Sequence, residues 1–124
     1  MGYAVVLGEA LIDLLETERD GELIYRQAIG GAPLNVSVGT TRLGGDVQYV
    51  GSLSNDILGD RIAQFLRSAG VGIRGVKRVP VPTTLAVTTF EGAELSTGDS
   101  MGVTSCVLPA STLALIRLLI ASAK

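Results

Sequence analysis

The stretch from Ile29 to Gly45 constrains this chain more than any other: Ile-Gly-Gly-Ala-Pro-Leu-Asn-Val-Ser-Val-Gly-Thr-Thr-Arg-Leu-Gly-Gly. Gly30 and Gly31 permit a tight turn and the close approach of a ligand to the backbone. Pro33 suits the first helical position, where its missing N–H costs nothing. Val36, Thr40 and Leu43 recur at helical steps, and Gly44-Gly45 ends the helix they predict. Asn35 falls in its first turn, where exposed backbone N–H groups and the helix dipole favour an electron-rich ligand. The same letters also describe an ordinary loop ahead of a helix. The neighbouring segments decide between a small polar-ligand site and a plain connection.

Upstream, Tyr3–Leu7 is a continuous apolar run ending at Gly8. It predicts a strand buried on both faces of a sheet. Ligands in open α/β sheets bind at the carboxyl ends of strands. Asp13, in Gly8-Glu9-Ala10-Leu11-Ile12-Asp13, is therefore a candidate ligand carboxylate, with an exposed turn aspartate as the competing reading. Leu14–Glu18 and Leu23–Ala28 flank Asp20-Gly21 and predict a hairpin.

Downstream, Val47–Leu53 predicts a second central strand, and Ser54-Asn55-Asp56 a cap cluster. Ile57, Arg61, Ala63 and Leu66 predict a helix closed by Gly70. Ile73–Val79 is a third, weaker strand. This alternation implies parallel pairing with right-handed crossovers, an α/β fold. After Pro80-Val81-Pro82, Thr83–Phe90 is rich in β-branched residues and predicts another strand. Ala93–Gly102 is small and polar and predicts no strand to answer it. Val103–Leu108 reads as a strand, and Ser111 as the cap of a last helix with Leu113, Ile116 and Ile120 on one face.

Residue usage removes several chemistries. Histidine is absent and Cys106 is the one cysteine among 124 residues, which excludes Cys/His zinc sites, Cys–His catalysis, Ser–His triads and intrachain disulfides. Cys106 stands in an apolar run and is expected to be a small buried hydrophobe. With a net charge of −2 and no basic run, no nucleic-acid partner is expected. Residues 1–12 carry Glu9 and lack the basic start of a signal peptide. Pro109 and Arg117 interrupt the apolar stretch 103–122, so a core helix is expected there and no membrane partner. A cytoplasmic location is the resulting expectation. There is no Gly-x-Gly-x-x-Gly fingerprint and no Walker A lysine motif.

Several segments together resemble one family. Gly8-Glu9-Ala10-Leu11-Ile12-Asp13, Ile29-Gly30-Gly31-Ala32-Pro33-Leu34-Asn35-Val36, Arg42-Leu43-Gly44-Gly45, Val50-Gly51, Asn55-Asp56-Ile57-Leu58-Gly59, Gly70-Val71 and Pro82-Thr83-Thr84-Leu85-Ala86 follow one another from about residue 3 to residue 90. In order and spacing they are similar to the N-terminal half of a ribokinase-like (PfkB-type) carbohydrate kinase, and most like the fructokinase branch.

The resemblance implies a partial ribokinase-like three-layer sandwich over residues 1–124, a mostly parallel sheet with flanking helices. A small β lid would add strands at about 14–28 and 83–90. It implies transfer of the ATP γ-phosphate to a sugar hydroxyl, fructose favoured, with ATP and Mg as cofactors. Asp13 would hold a pair of sugar hydroxyls, and Gly30, Gly31 and Asn35 would complete the sugar site through backbone and amide. Lid strands pairing between subunits would make a homodimer.

The chain departs from the family pattern at Ser54, where glycine is usual, and after Gly92, where the text of a second lid strand is missing as if an internal piece were lost. The family's Gly-Ala-Gly-Asp segment, with its catalytic aspartate and phosphate-holding helix, does not occur. Thr97-Gly98-Asp99-Ser100 reads as a polar loop. No catalytic residue and no nucleotide site are assigned, and the chain is expected to hold the sugar-binding half alone. A non-catalytic sugar-binding or dimerisation module is the alternative. An unrelated mononucleotide-binding α/β domain would require the run of motifs to be coincidence.

Overall fold

The computed structural model describes residues 2–91 and 94–97. Two sheets share one apolar seam. The first contains β1 (Ala4–Leu7), β4 (Val47–Ser54) and β5 (Gly72–Val79), all parallel and in the order β1-β4-β5. The second contains β2 (Leu11–Arg19), β3 (Glu22–Gly30), β6 (Leu85–Glu91) and β7 (Glu94–Thr97), in the order β3-β2-β6-β7. Two helices, α1 (Ala32–Arg42) and α2 (Ile57–Ser68), provide the crossovers of the parallel sheet. The parallel sheet with flanking helices is the α/β class expected from the alternation of elements.

Each crossover has a local cause. Asp20 at φ 54 and Gly21 at φ 79 make the tight turn of the β2–β3 hairpin, with Arg19 opposite Glu22. Two consecutive positive φ angles match the twist that a two-residue hairpin needs. Asp56 caps α2, accepting a 2.7 Å bond from the Gly59 N–H. Gly44 at φ 87 and Gly70 at φ 80 turn the chain out of α1 and α2.

The core lies between the helices and one face of β4. Val47, Tyr49 and Leu53 of β4 pack with Leu34 and Val38 of α1 and with Ile62, Ala63 and Leu66 of α2. Ala10 and Ile12 belong to the same cluster, and Ile29 and Leu85 pack against it. The second sheet is therefore seated on the first through the ends of its strands nearest the crossovers. Ile12 is fully buried at that seam, whereas Leu23 and Tyr25, far along the hairpin, are exposed.

Five expectations change. β1 is not buried on both faces: none of its four residues is fully buried, and Leu7 is 42% exposed. The inward stripe of α1 is Leu34, Ser37 and Val38, while Val36 and Leu43 point outward. Ser37 tolerates burial because its hydroxyl donates to the Pro33 carbonyl at 2.9 Å. Ile57 likewise lies outside the buried face of α2, which is Gly59, Ile62, Ala63 and Leu66. The hairpin strands are longer than residues 14–28, starting at Leu11 and ending at Gly30. Finally, β6 does have an answering strand: β7 pairs antiparallel with it, Glu91 opposite Glu94. Strand pairing is carried by the backbone, so it does not need the alternating apolar text that Glu94-Leu95-Ser96-Thr97 lacks. The expected polar turn after Thr97, the strand 103–108, Cys106 and the helix after Ser111 lie outside the described residues. Among the described residues no helix is long and apolar enough to cross a membrane.

Candidate functional site

Asp13 is the third residue of β2, not a residue of the loop after β1. Strand pairing already begins at Leu11, which lies opposite Gly30, so Asp13 faces Ala28 across the hairpin. Its carboxylate leans over Gly30, and a Cβ added at Gly30 would collide with it. Glycine at this position is thus a matter of space. Asp13 is half-buried, and among the described residues no group hydrogen-bonds its carboxylate.

Gly31 has a different requirement. Its φ of 113 lies in the region that favours glycine. A Cβ there would also stand 2.7 Å from the Glu9 carbonyl oxygen and 3.1 Å from the Ala10 Cα. The segment leaving β1 and the segment entering α1 therefore touch through backbone. Pro33 packs against Gly8, where an added Cβ would overlap its ring.

No side chain caps α1 at Gly31, and the first turn of the helix carries no acidic residue. The Asn35 N–H closes that turn on the Gly31 carbonyl at 2.9 Å, and the Asn35 side chain is exposed. An uncapped helix N-terminus offers N–H donors and positive potential to an electron-rich oxygen. The structure thus gathers Asp13, Gly30, Gly31 and the start of α1 at the exit of the hairpin, with acceptor and donor groups side by side. That is suited to a ligand bearing several hydroxyls, each of which both donates and accepts.

A cleft open to solvent is lined by Gly8, Glu9 and Ala10 and by Ser52, Ser54, Thr83 and Thr84, among others. None of Asp13, Gly30, Gly31 and Asn35 lines it. One of its lining residues, Thr83, is held by Asp56. That carboxylate accepts from the Thr83 hydroxyl at 2.6 Å and from the Thr83 N–H at 2.8 Å, besides capping α2. Ser54 accepts from the Asp56 N–H at 3.0 Å. Burial alone would raise the Asp56 pKa. The hydrogen bonds from the Thr83 hydroxyl, the Gly59 and Thr83 N–H groups and Ser54 outweigh it and hold the carboxyl well below the usual carboxylate range. Sequence reasoning found Asp56 as a cap but not its bond to Thr83. Nothing in the local spacing signals a partner on another element.

The family model described as pfkB family carbohydrate kinase matches residues 1–113. The chain belongs to this family of carbohydrate kinases. Fructokinase-2 of Solanum lycopersicum is 39% identical over 79 residues, covering 60% of this chain and 24% of the relative. Among solved structures, the fructokinase of Xylella fastidiosa with bound ATP superposes with a TM-score of 0.79 at 34% identity, over 89% of this chain and 34% of that one. The fructokinase of Vibrio cholerae O395 with fructose, ADP and calcium ion bound superposes with a TM-score of 0.73 at 29% identity, over 90% of this chain and 36% of that one. This pfkB-family chain spans 24% of the length of that curated relative and about a third of those solved chains. The two sheets and two helices of its described residues are part of a ribokinase-like fold.

Proposed function

We propose that this pfkB-family chain supplies the sugar-binding part of an ATP-dependent sugar kinase, with fructose the favoured sugar. The observation that carries the reading is the Asp13 carboxylate lying against Gly30 with no hydrogen-bond partner among the described residues, beside the uncapped start of α1. A half-buried carboxylate gains most from a ligand that donates to both its oxygens, as two neighbouring sugar hydroxyls do. The Gly30–Gly31 backbone and the Asn35 amide would complete the hydrogen bonds. The fructose bound in the Vibrio relative and the fructokinase names of the curated relatives support the choice of sugar.

The reaction transfers the ATP γ-phosphate to a sugar hydroxyl and leaves ADP, with the hydroxyl proton passing to a base. Asp13 and its neighbours position the sugar in that scheme, and none of them is assigned as the base. ATP use is supported by the nucleotide bound in the Xylella relative. Among the described residues no group of three acidic, His or Cys side chains is placed to hold a metal ion. The N-terminus of α2, a natural anion site, is taken by its own Asp56 carboxylate. No step is assigned to Mg or to the phosphates of ATP among the described residues.

The second sheet would act as the lid over the sugar. Its edge strand β3 exposes Leu23 and Tyr25 on one face, which supports pairing of lids in a homodimer. Sedimentation of the wild type against Tyr25→Lys checks this, a dimer in the first and a monomer in the second being expected.

A thermal-unfolding scan with a sugar panel, each sugar with and without Mg-ATP, tests the main reading. A ligand of the folded state raises Tm by mass action. A rise with fructose that is lost in Asp13→Ala is expected. A cooperative transition that no sugar moves would overturn the site. A fructose response without phosphate transfer would favour a sugar-binding module without turnover.

A further inference from the structure

We infer that Asp56 is a positioning residue for Asp13, holding the strand that carries it through the Thr83–Thr84 pair. The chain of contacts is short. The Asp56 carboxylate binds the Thr83 hydroxyl at 2.6 Å and the Thr83 N–H at 2.8 Å. The next residue, Thr84, presents its carbonyl to the Ile12 N–H at 3.0 Å. The residue after Ile12 is Asp13, which lies opposite Ala86 in the parallel β2–β6 pairing. One carboxylate at the start of α2 thus fixes the point where β6 begins, and β6 fixes β2 alongside it.

Two features make this more than a helix cap. A cap needs one acceptor oxygen, and the Gly59 N–H occupies only Oδ1 of Asp56. Oδ2 is given wholly to the Thr83 N–H, in the segment that leads into β6. The same helix also reaches the second sheet at another strand, since the Arg61 guanidinium donates to the Gln27 side-chain oxygen at 2.8 Å. Gln27 lies opposite Leu14 in the hairpin. The helix therefore grips β3 and the entrance to β6 on either side of β2. Of the two grips, the Asp56 one is buried around Thr83 and charge-assisted, whereas the Arg61 one is exposed and weak.

For its functional consequence the inference rests on the reading of Asp13 as the sugar-holding carboxylate. The test separates the two. Asp56→Asn keeps an oxygen for the Gly59 N–H but sets an amide N–H against the Thr83 N–H. Thr83→Val removes the hydroxyl alone, and Thr83→Ser restores it. In the full 124-residue chain, amide hydrogen exchange at Ile12 is measured against the β4 amides, together with the Tm shift caused by fructose. Loss of one charge-assisted bond is expected to speed exchange at Ile12 about tenfold in Asp56→Asn and Thr83→Val. The β4 amides should stay unchanged, the fructose shift should shrink, and Thr83→Ser should behave as wild type. Exchange at Ile12 unchanged in both variants, with only a lowered Tm, would reduce Asp56 to a helix cap and overturn the inference. Faster exchange at Ile12 in a chain whose wild type ignores every sugar would sustain the clamp and remove the sugar reading.

Discussion

The Tyr49 hydroxyl donates a 2.7 Å hydrogen bond to the Gly8 carbonyl, joining the middle of β4 to the first residue after β1. Tyr49 is fully buried. A Cβ on Gly51 would strike the Gly8 carbonyl oxygen and approach the Tyr49 hydroxyl to 2.9 Å. Gly8, which opens the segment lining the cleft, is therefore set by two residues of the central strand.

Tyr49→Phe removes the hydroxyl and leaves a carbonyl short of a partner. A loss of about 1–2 kcal/mol is expected in a urea melt, with the fold retained.

Gly30→Ala places a methyl group where the Asp13 carboxylate lies. The carboxylate must move, so the fructose-induced rise in Tm should vanish while unliganded unfolding stays cooperative. A retained rise would mean that Asp13 does not meet the ligand from this position.

Ile12→Ala cuts the core at the seam between the two sheets, where Ile12 is fully buried. Deleting a side chain of this size costs about 2–5 kcal/mol. Arg61→Ala removes only the exposed bond to Gln27 and should cost less than about 0.5 kcal/mol. Parallel denaturant melts of the two variants check the contrast.

The Asp56 carboxyl titrates well below its usual range in the folded chain. A depressed folded pKa gives stability that is present above the unfolded value and lost as pH falls towards the folded one. The stability difference between wild type and Asp56→Asn should therefore be constant near neutral pH and shrink below about pH 4. Urea midpoints of both proteins across that range read it directly, and other carboxylates cancel in the difference.

How much of this was legible in the sequence depended on how local its cause was. β4 and α2 were readable because an apolar run, a cap aspartate and a terminal glycine sit in consecutive text. The hairpin turn was readable from Asp20-Gly21 alone. The buried face of α1 was not, because Ser37 and Thr41 satisfy their hydroxyls on the Pro33 and Ser37 carbonyls and so pass for surface residues. The sequence marks Asp13 as a candidate but carries no local sign that it lies in a strand. Only the pairing of Leu11 with Gly30 shows that the strand has already begun. The reach of Asp56 to Thr83 joins residues 27 apart and follows from the fold, not from spacing.

The parallel pairing of Ile12 with Leu85 has a kinetic consequence. The β2–β3 hairpin closes on itself through neighbouring text and can form within microseconds. The strand that completes its sheet arrives only after α1, β4, α2 and β5 have been laid down between them, and closing so long a loop is slow. The β2–β6 pairing beside Asp13 is thus expected to mature late, once the helical layer has aligned the two strands. A substitution that slows the helical layer would delay that pairing without touching either strand.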